Sequence, residues 1–159
     1  APQTVHALLQ GVVLLEVQEP SDSTFRIYDY GRIVNGNPRP LHIEEAARVM
    51  SFEWSEEPYI RPRIIPSRIA QRELLVDCDA YRMERWQIKG VFDLGQMLGT
   101  ARVVFCVEGD CDIQGGGETA PLKTGDTAII PAALENAAIH APRGVLLVVS
   151  GAGGVDLLS

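Results

Sequence analysis

The sequence has few of the groups that usually betray a chemistry. Its three cysteines, Cys78, Cys106 and Cys111, are an odd number without zinc-knuckle spacing, so neither a disulfide framework nor a zinc knuckle is indicated. Cys78 and Cys106 lie in or beside apolar runs and read as small buried hydrophobes. Cys106 and Cys111 flank Gly109-Asp110 and can approach across a turn, with reduced thiols the expected state. Apolar runs such as Gly144 to Val149 fall far short of the ~20 residues that span a bilayer. The opening APQTVHALLQ lacks a basic segment followed by an apolar one, so no signal peptide is expected and a cytoplasmic location fits. Cationic surplus is missing too. A formal net charge of -7 weighs against nucleic acid, which is held by cationic contacts to phosphate, and against an anionic membrane surface. Gly115-Gly116-Gly117 lacks the Lys-Ser/Thr that completes a phosphate cradle, so it reads as a hairpin turn. No nucleophilic-serine signature and no Cys–His pairing stands out.

With 46% hydrophobic and 22% charged residues in 159, the chain can build one domain, with room for part of a second. Ile43, Ala46, Ala47 and Met50 recur at helical spacing, with Glu44 and Glu45 in the first turn and Arg48 in the last, which predicts a short helix. His42 falls at its N-terminal edge. Asn35 to Pro40 is a loop by composition. Ser51 to Pro66, with Pro58, Pro62 and Pro66, reads as an extended connector. Its cationic cluster of Arg61, Arg63 and Arg68 balances Glu53, Glu56 and Glu57, or contacts an anion. From Glu73 onward short strands follow at close spacing: Leu74 to Val76, Tyr81 to Lys89, Arg102 to Val107, Cys111 to Gln114, Ala120 to Leu122, Thr127 to Ile130, Asn136 to His140 and Gly144 to Val149. Broken by Gly and Pro, they predict an all-β sandwich or barrel. Trp54, Trp86, Tyr81 and Met83 read as filler of a core or of an interdomain contact. The tail from Gly151 to Ser159 reads as loosely docked.

The most polar of the β-like segments is Val5 to Arg32. It reads as three strands, Val5 to Leu8, Val12 to Val17 and Thr24 to Asp29, with turns at Leu9-Gln10-Gly11 and at Glu19 to Ser23. A hairpin bend at Gln10-Gly11 brings His6 opposite Leu15 and Glu16, and Asp22 and Arg26 enter from the next edge. Imidazole and carboxylates on one sheet face can hold a metal, and a guanidinium can guide an anionic or hydroxylated ligand. Each residue also has a plainer explanation. His6 can be a hydrogen-bonded core or surface residue and Glu16 an edge-strand gatekeeper. Asp22 can close an Asx-turn, and Arg26 can face solvent between Phe25 and Ile27. A one-residue slip of the hairpin would turn half of these groups away.

The strings VHAL, LLEVQE, SDSTFRIYDYGR and RPLHIEEA resemble the second half of the active-site domain of type I phosphomannose isomerases, zinc-dependent cupin enzymes that interconvert mannose 6-phosphate and fructose 6-phosphate. The resemblance continues more weakly to the C-terminus. It implies that His6 is a zinc ligand, that Glu16 and Asp22 line the pocket, and that Arg26 is catalytic. The family's other zinc ligands, a Gln-x-His pair and a Glu, and its phosphate-binding basic residues precede the segment that resembles Val5. No Gln-x-His occurs in this chain. Further on, VVFCVEGD and LKTGDTAIIP resemble cupin motifs, in which Gly109 and Gly125 allow turns and Pro131 ends a strand. Arg102 to Cys106 contains no His-x-His, and His140 comes too late for the second motif.

The fold the resemblance implies is mainly β. It comprises a cupin-type jelly-roll barrel without its metal residues over 67–159, a helix and connector over 41–66, and strands of a preceding, incomplete cupin over 1–40. The implied activity is aldose–ketose isomerisation of a hexose 6-phosphate through an enediol. This chain would carry part of an active site that a missing N-terminal part or a companion chain completes, and would be inactive alone. An acidic chain that handles a sugar phosphate needs a local basic patch. The rival expectation is a non-catalytic cupin that binds sugar or acts as a scaffold.

Overall fold

The computed structural model describes residues 3–18, 20–21, 23–53, 61–67, 70–95, 100–134 and 136–152. The chain divides into two units, Ala1–Pro58 and Tyr59–Ser159.

The second unit is built on an antiparallel sheet of eight strands. These are β3 (Arg63–Ile65), β4 (Gln71–Asp77), β5 (Tyr81–Gly95), β6 (Arg102–Glu108), β7 (Cys111–Gly115), β8 (Glu118–Leu122), β9 (Thr127–Ile130) and β10 (Ala137–Gly151). Their order is β3-β4-β5-β10-β6-β9, and β7 joins β10 to β8. Two strands of 15 residues, β5 and β10, organise the rest. The first half of β10 pairs with the second half of β5 and with β7, whereas its second half pairs with the first half of β5 and with β6.

The long strands survive two residues that the sequence marks as breaks. Pro142 has no amide hydrogen to give a ladder, and the register slips between Ala141 and Gly144 so that Pro142 and Arg143 bulge out. Gly90, opposite Ala141, takes φ +93°, which costs glycine little. One continuous strand therefore stands where two are expected at Asn136 to His140 and Gly144 to Val149, and Val91 to Gly95 joins β5. Because side chains alternate across a strand, one face of each strand supplies the core. Trp86, Phe92, Val104, Ile139 and Leu146 are all buried in a single cluster. Burying each large side chain is worth ~1.5–3 kcal/mol. On the outside, Glu73 and Arg85 face each other across β4 and β5, with Nη2 to Oε2 at 2.6 Å.

The first unit differs in kind. Among the described residues its regular elements are the hairpin of β1 (Ile33–Val34) and β2 (Asn37–Pro38) and the helix α1 (Ile43–Val49). The hairpin lies where the composition suggests only loop. Asn35 and Gly36 sit at φ +52° and +80°, the two left-handed residues of a tight hairpin turn. In α1 the helical period is as expected, but of the apolar face only Ala46 is buried.

The three strands expected within Val5 to Asp29 do not form among the described residues. The Gln10-Gly11 turn is there, with Val12 N donating to Leu9 O at 3.4 Å, yet no ladder follows it. A strand exists through its neighbours, and here the apolar run Val12 to Leu15 is exposed, Val13 to 98%. Within 41–66, Arg63 to Ile65 pairs with β4, so that part of the expected connector is an edge strand. Asp22, Trp54, Glu56, Glu57, Pro58, Arg68 and the tail over 153–159 lie outside the described residues.

Candidate functional site

In the first unit, one arginine and one histidine are locked together through the backbone. Arg26 N donates to His42 Nδ1 at 3.1 Å and His42 N donates to Arg26 O at 2.8 Å. His42 Nδ1 is thus an acceptor, which places the proton of the neutral ring on Nε2. His42 also occupies the N-cap of α1 without a side-chain cap bond, and its ring meets Phe25 edge-on at 6.3 Å. The Arg26 guanidinium donates through Nη1 to Pro40 O at 3.1 Å, and its Nε lies 3.8 Å from Asp29 Oδ1.

Asp29 is the buried carboxylate among the described residues of this unit. Arg39 grips it with a two-pronged fork, Nε to Oδ2 at 2.8 Å and Nη2 to Oδ1. The Arg39 hydrogen bond holds the Asp29 carboxyl below the usual carboxylate range, with further help from the charges of Arg39, Arg26 and Arg32 against a smaller desolvation penalty. The β1–β2 hairpin makes this possible, because Asp29 precedes it and Arg39 follows it. Three arginines around one carboxylate leave a net positive patch, which suits an anionic ligand.

Of the residues singled out from the sequence, His6, Glu16 and Arg26 are among those described. His6 is exposed, with Nδ1 at 3.2 Å from Thr4 O. Glu16 is exposed as well. Asp22 lies outside the described residues. Among the described residues no hydrogen bond or ion pair joins His6, Glu16 and Arg26 to one another. The expected convergence on one sheet face needed the hairpin ladder, and that ladder is absent. Asp29, Pro40 and His42 were missed as partners of Arg26, and Arg39 as the partner of Asp29. The signal for them was the Asn35-Gly36 turn, which folds the chain back on itself between Asp29 and Arg39.

The second unit holds a second charged cluster, inside its core. Glu84 Oε2 accepts from Arg72 Nε and Nη2 at 2.9 and 2.7 Å and from Trp86 Nε1 at 2.6 Å. Its Oε1 accepts from Arg82 Nε at 2.7 Å. The Arg72 guanidinium also lies 5.3 Å from the centre of the Trp86 ring, at cation–π range. Arg72, Glu84 and Trp86 are all buried. They lie on the inward face because β4 and β5 pair Arg72 with Trp86 and Leu74 with Glu84. Trp86, expected as filler, is core and hydrogen-bond donor at once. Outside the core, a groove of about 510 Å³ includes Ser67, Gln71, Gln87 and Lys89 in its lining.

A zinc site takes four protein ligands, or three and a water. Among the described residues no group of three or more His, Cys, Asp or Glu is placed to hold a metal ion, and His6 offers one imidazole. The described residues do not by themselves fit a zinc centre. Nor, among them, is any helix long and apolar enough to cross a membrane.

Residues 71–150, which run from the start of β4 almost to the end of β10, match the family described as mannose-6-phosphate isomerase, cupin domain. The chain belongs to that family. Among relatives of this chain, mannose-6-phosphate isomerase ManA of Bacillus subtilis is 31% identical over 133 residues, covering 80% of this chain and 40% of ManA. The mannose-6-phosphate isomerase of Streptococcus mutans is 30% identical over 129 residues, with the same two coverages. In three dimensions, the crystal structure of the mannose 6-phosphate isomerase from Bacillus subtilis superposes with a TM-score of 0.68 at 28% identity, over 82% of this chain and 40% of that one. An RmlC-like cupin from Shewanella frigidimarina, 17% identical, matches with a TM-score of 0.50 over 67% of this chain, which speaks to the fold alone. The chain thus spans about 40% of the length of the isomerases it matches, and the barrel of the second unit is the isomerase family's cupin domain.

Proposed function

We propose that this chain supplies one part of a hexose-6-phosphate aldose–ketose isomerase, with Arg26 as the group that meets the substrate. The observation that carries this is the anchoring of Arg26. Its backbone is tied to His42 on both sides, and its guanidinium rests on Pro40 O and near Asp29. A guanidinium held this way has already lost much of its rotamer freedom, so aiming it at a sugar oxygen costs little more. The reaction moves a proton between C1 and C2 through an enediol, and the enediolate carries negative charge that a fixed cation stabilises. Asp22 and Glu16 would serve in proton relay or in binding sugar hydroxyls. The match to relatives named as mannose-6-phosphate isomerases supports the substrate class.

His6 would give one ligand to a zinc centre, and the other ligands would come from polypeptide other than the described residues. The domain assignment follows the same logic. Residues 1–40 belong to an active-site domain shared with further polypeptide, 41–66 connect, and 67–159 form a barrel that supports rather than reacts. The packed interior of that barrel, closed by Trp86 and Phe92, favours the scaffold role for the second unit.

The test is complementation. The 159-residue chain is mixed or co-expressed with the portion of Bacillus subtilis ManA that it does not span, and conversion of mannose 6-phosphate to fructose 6-phosphate is followed. Activity should appear with the complement, be absent without it, and fall about 10²–10³-fold on Arg26→Ala, the usual loss of a fixed charge-stabilising donor. A complemented complex that assembles but is inactive, or an Arg26→Ala complex as fast as the parent, would refute the proposal.

A further inference from the structure

The groove on the second unit lies where one strand stops and its neighbour runs on. β4 begins at Gln71, opposite Gln87, while β5 continues to Gly95. Beyond Gln87, β5 pairs with β10 alone among the described residues, so its other edge is open there. The lining also includes Ile64, Pro66 and Ala70, from β3 and from the link that joins β3 to β4. Side chains alternate along a strand. Gln87 and Lys89 flank buried Ile88 and are both exposed, on the outward face of β5. Directly opposed residues have Cβ atoms ~4.5–5.5 Å apart, which sets the Gln71 and Gln87 amides side by side, with Lys89 about 7 Å further along. These three side chains make no hydrogen bond or ion pair among the described residues. No carboxylate is among the lining residues described. The charged ones are Lys89 and Arg72, and the Arg72 guanidinium is met by Glu84. In a chain of net charge -7, Lys89 is thus a cation with no acid beside it in the groove.

We propose that this groove binds a small sugar that carries one anionic group, a phosphate or a carboxylate. Lys89 takes the anionic group through an ammonium with three donors. The Gln71 and Gln87 amides each present a carbonyl oxygen and an NH2, so together they accept from and donate to neighbouring hydroxyls. A sugar hydroxyl both gives and takes a hydrogen bond, which matches an amide pair better than a charged group alone does. Ile64, Pro66 and Ala70 offer apolar surface to the C–H groups of the ring. The volume of about 510 Å³ falls within the ~300–1,000 Å³ of small-ligand sites, which combine apolar lining with a few placed polar groups. The site lies in the second unit and uses neither Arg26 nor His6, so it stands or falls apart from the isomerase reading. It gives the barrel a ligand of its own without giving it a reaction.

The experiment is an NMR titration of the full 159-residue chain, labelled with nitrogen-15, as it stands and with Arg26→Ala, which removes the cation of the isomerase proposal. Mannose 6-phosphate and gluconate are the phosphate and carboxylate probes, and mannose and inorganic phosphate separate the two halves of the recognition. At least one of the two anionic sugars should give saturable shifts at the Gln71 and Gln87 side-chain amides and the Lys89 backbone amide, equally with Arg26→Ala. Mannose and inorganic phosphate should each bind about tenfold more weakly or worse. Lys89→Gln, at an exposed position, should weaken the better probe about tenfold, the worth of one charge-assisted hydrogen bond. Lys89→Arg should keep most of the affinity, and Lys123→Gln, at the chain's other lysine, should leave it unchanged. No saturable shift at these groups with either anionic sugar would overturn the proposal. So would inorganic phosphate binding as tightly as the better probe, which would mark an adventitious ion only, mannose binding as tightly, or affinity that survives Lys89→Gln. An inactive complemented complex bears on the isomerase reading and leaves these shifts as they are.

Discussion

Asp29 shows how one carboxylate can organise a small unit. It is gripped by the Arg39 fork and approached by Arg26, and the Arg39 hydrogen bond sets its titration below the ordinary value of 3.8. A pKa lowered by folding means that the unfolded chain takes up the proton first as pH falls. The stabilisation from this pair is therefore full above the ordinary value of 3.8 and is lost as pH falls below it, through the lower folded value. In Arg39→Ala the Asp29 midpoint should move up toward that ordinary value, read by NMR of its side-chain carboxyl carbon. An unchanged midpoint would mean that Arg39 is not the cause. Glu84 is the counterpart in the barrel, one carboxylate serving Arg72, Arg82 and Trp86. Removing one partner of a buried ionic cluster strands the others, at a typical cost of about 3–5 kcal/mol. Glu84→Ala should lower unfolding stability by that order in urea titrations. Glu84→Gln, which keeps an acceptor for Trp86, should cost less.

Among the elements, the links between strands show what a sequence can and cannot declare. Helix α1 was legible because its apolar residues repeat at helical spacing, and most strands of the barrel were legible as short β-branched runs ending at Gly or Pro. Gly90 and Pro142 were misjudged as ends because their local chemistry is the same whether a strand stops or bulges. Only the neighbouring strands, which hold the register on both sides of the slip, decide between the two. The β1–β2 hairpin carried its signal in Asn35-Gly36, but strands of two residues are too short to show a period. Glycines separate on the same principle. Gly109 and Gly117 both sit at φ +83°, yet a Cβ at Gly109 would strike Arg143 O while Gly117 has open space around it. Gly117→Ala should cost only the left-handed backbone term, about 1–2 kcal/mol. Gly109→Ala should cost clearly more, because the obstacle is backbone that cannot swing aside. Paired denaturation curves measure the difference, and equal losses would show that the turn around Gly109 yields.

At the scale of the whole molecule, the two units stand in opposite physical states. The barrel closes a core around Phe92, Val104, Ile139 and Leu146. The first unit leaves Val12, Val13, Leu14, Tyr28, Ile33 and Phe52 exposed and buries Ala46 as the one hydrophobic residue among those described. The site residues expected from the sequence lie in this unit, which is why they were only partly legible. His6, Glu16 and Arg26 could be named by resemblance, but the described residues form no strands over 5–8 and 12–17. A segment that buries so little apolar surface gains little to offset its ordering entropy. Amide hydrogen exchange on the intact chain should therefore split along the unit boundary. Amides of β5, β6 and β10 should exchange slowest, through near-global opening, and those of 5–17 should exchange at rates close to an unfolded peptide. Adding the complementary portion of an isomerase relative should slow exchange in 5–17 and leave β5 and β10 nearly unchanged, since the new contacts cover the exposed apolar run and not the closed core. Strong protection of 5–17 in the chain alone would show that these residues already have the neighbours that the structure withholds from them.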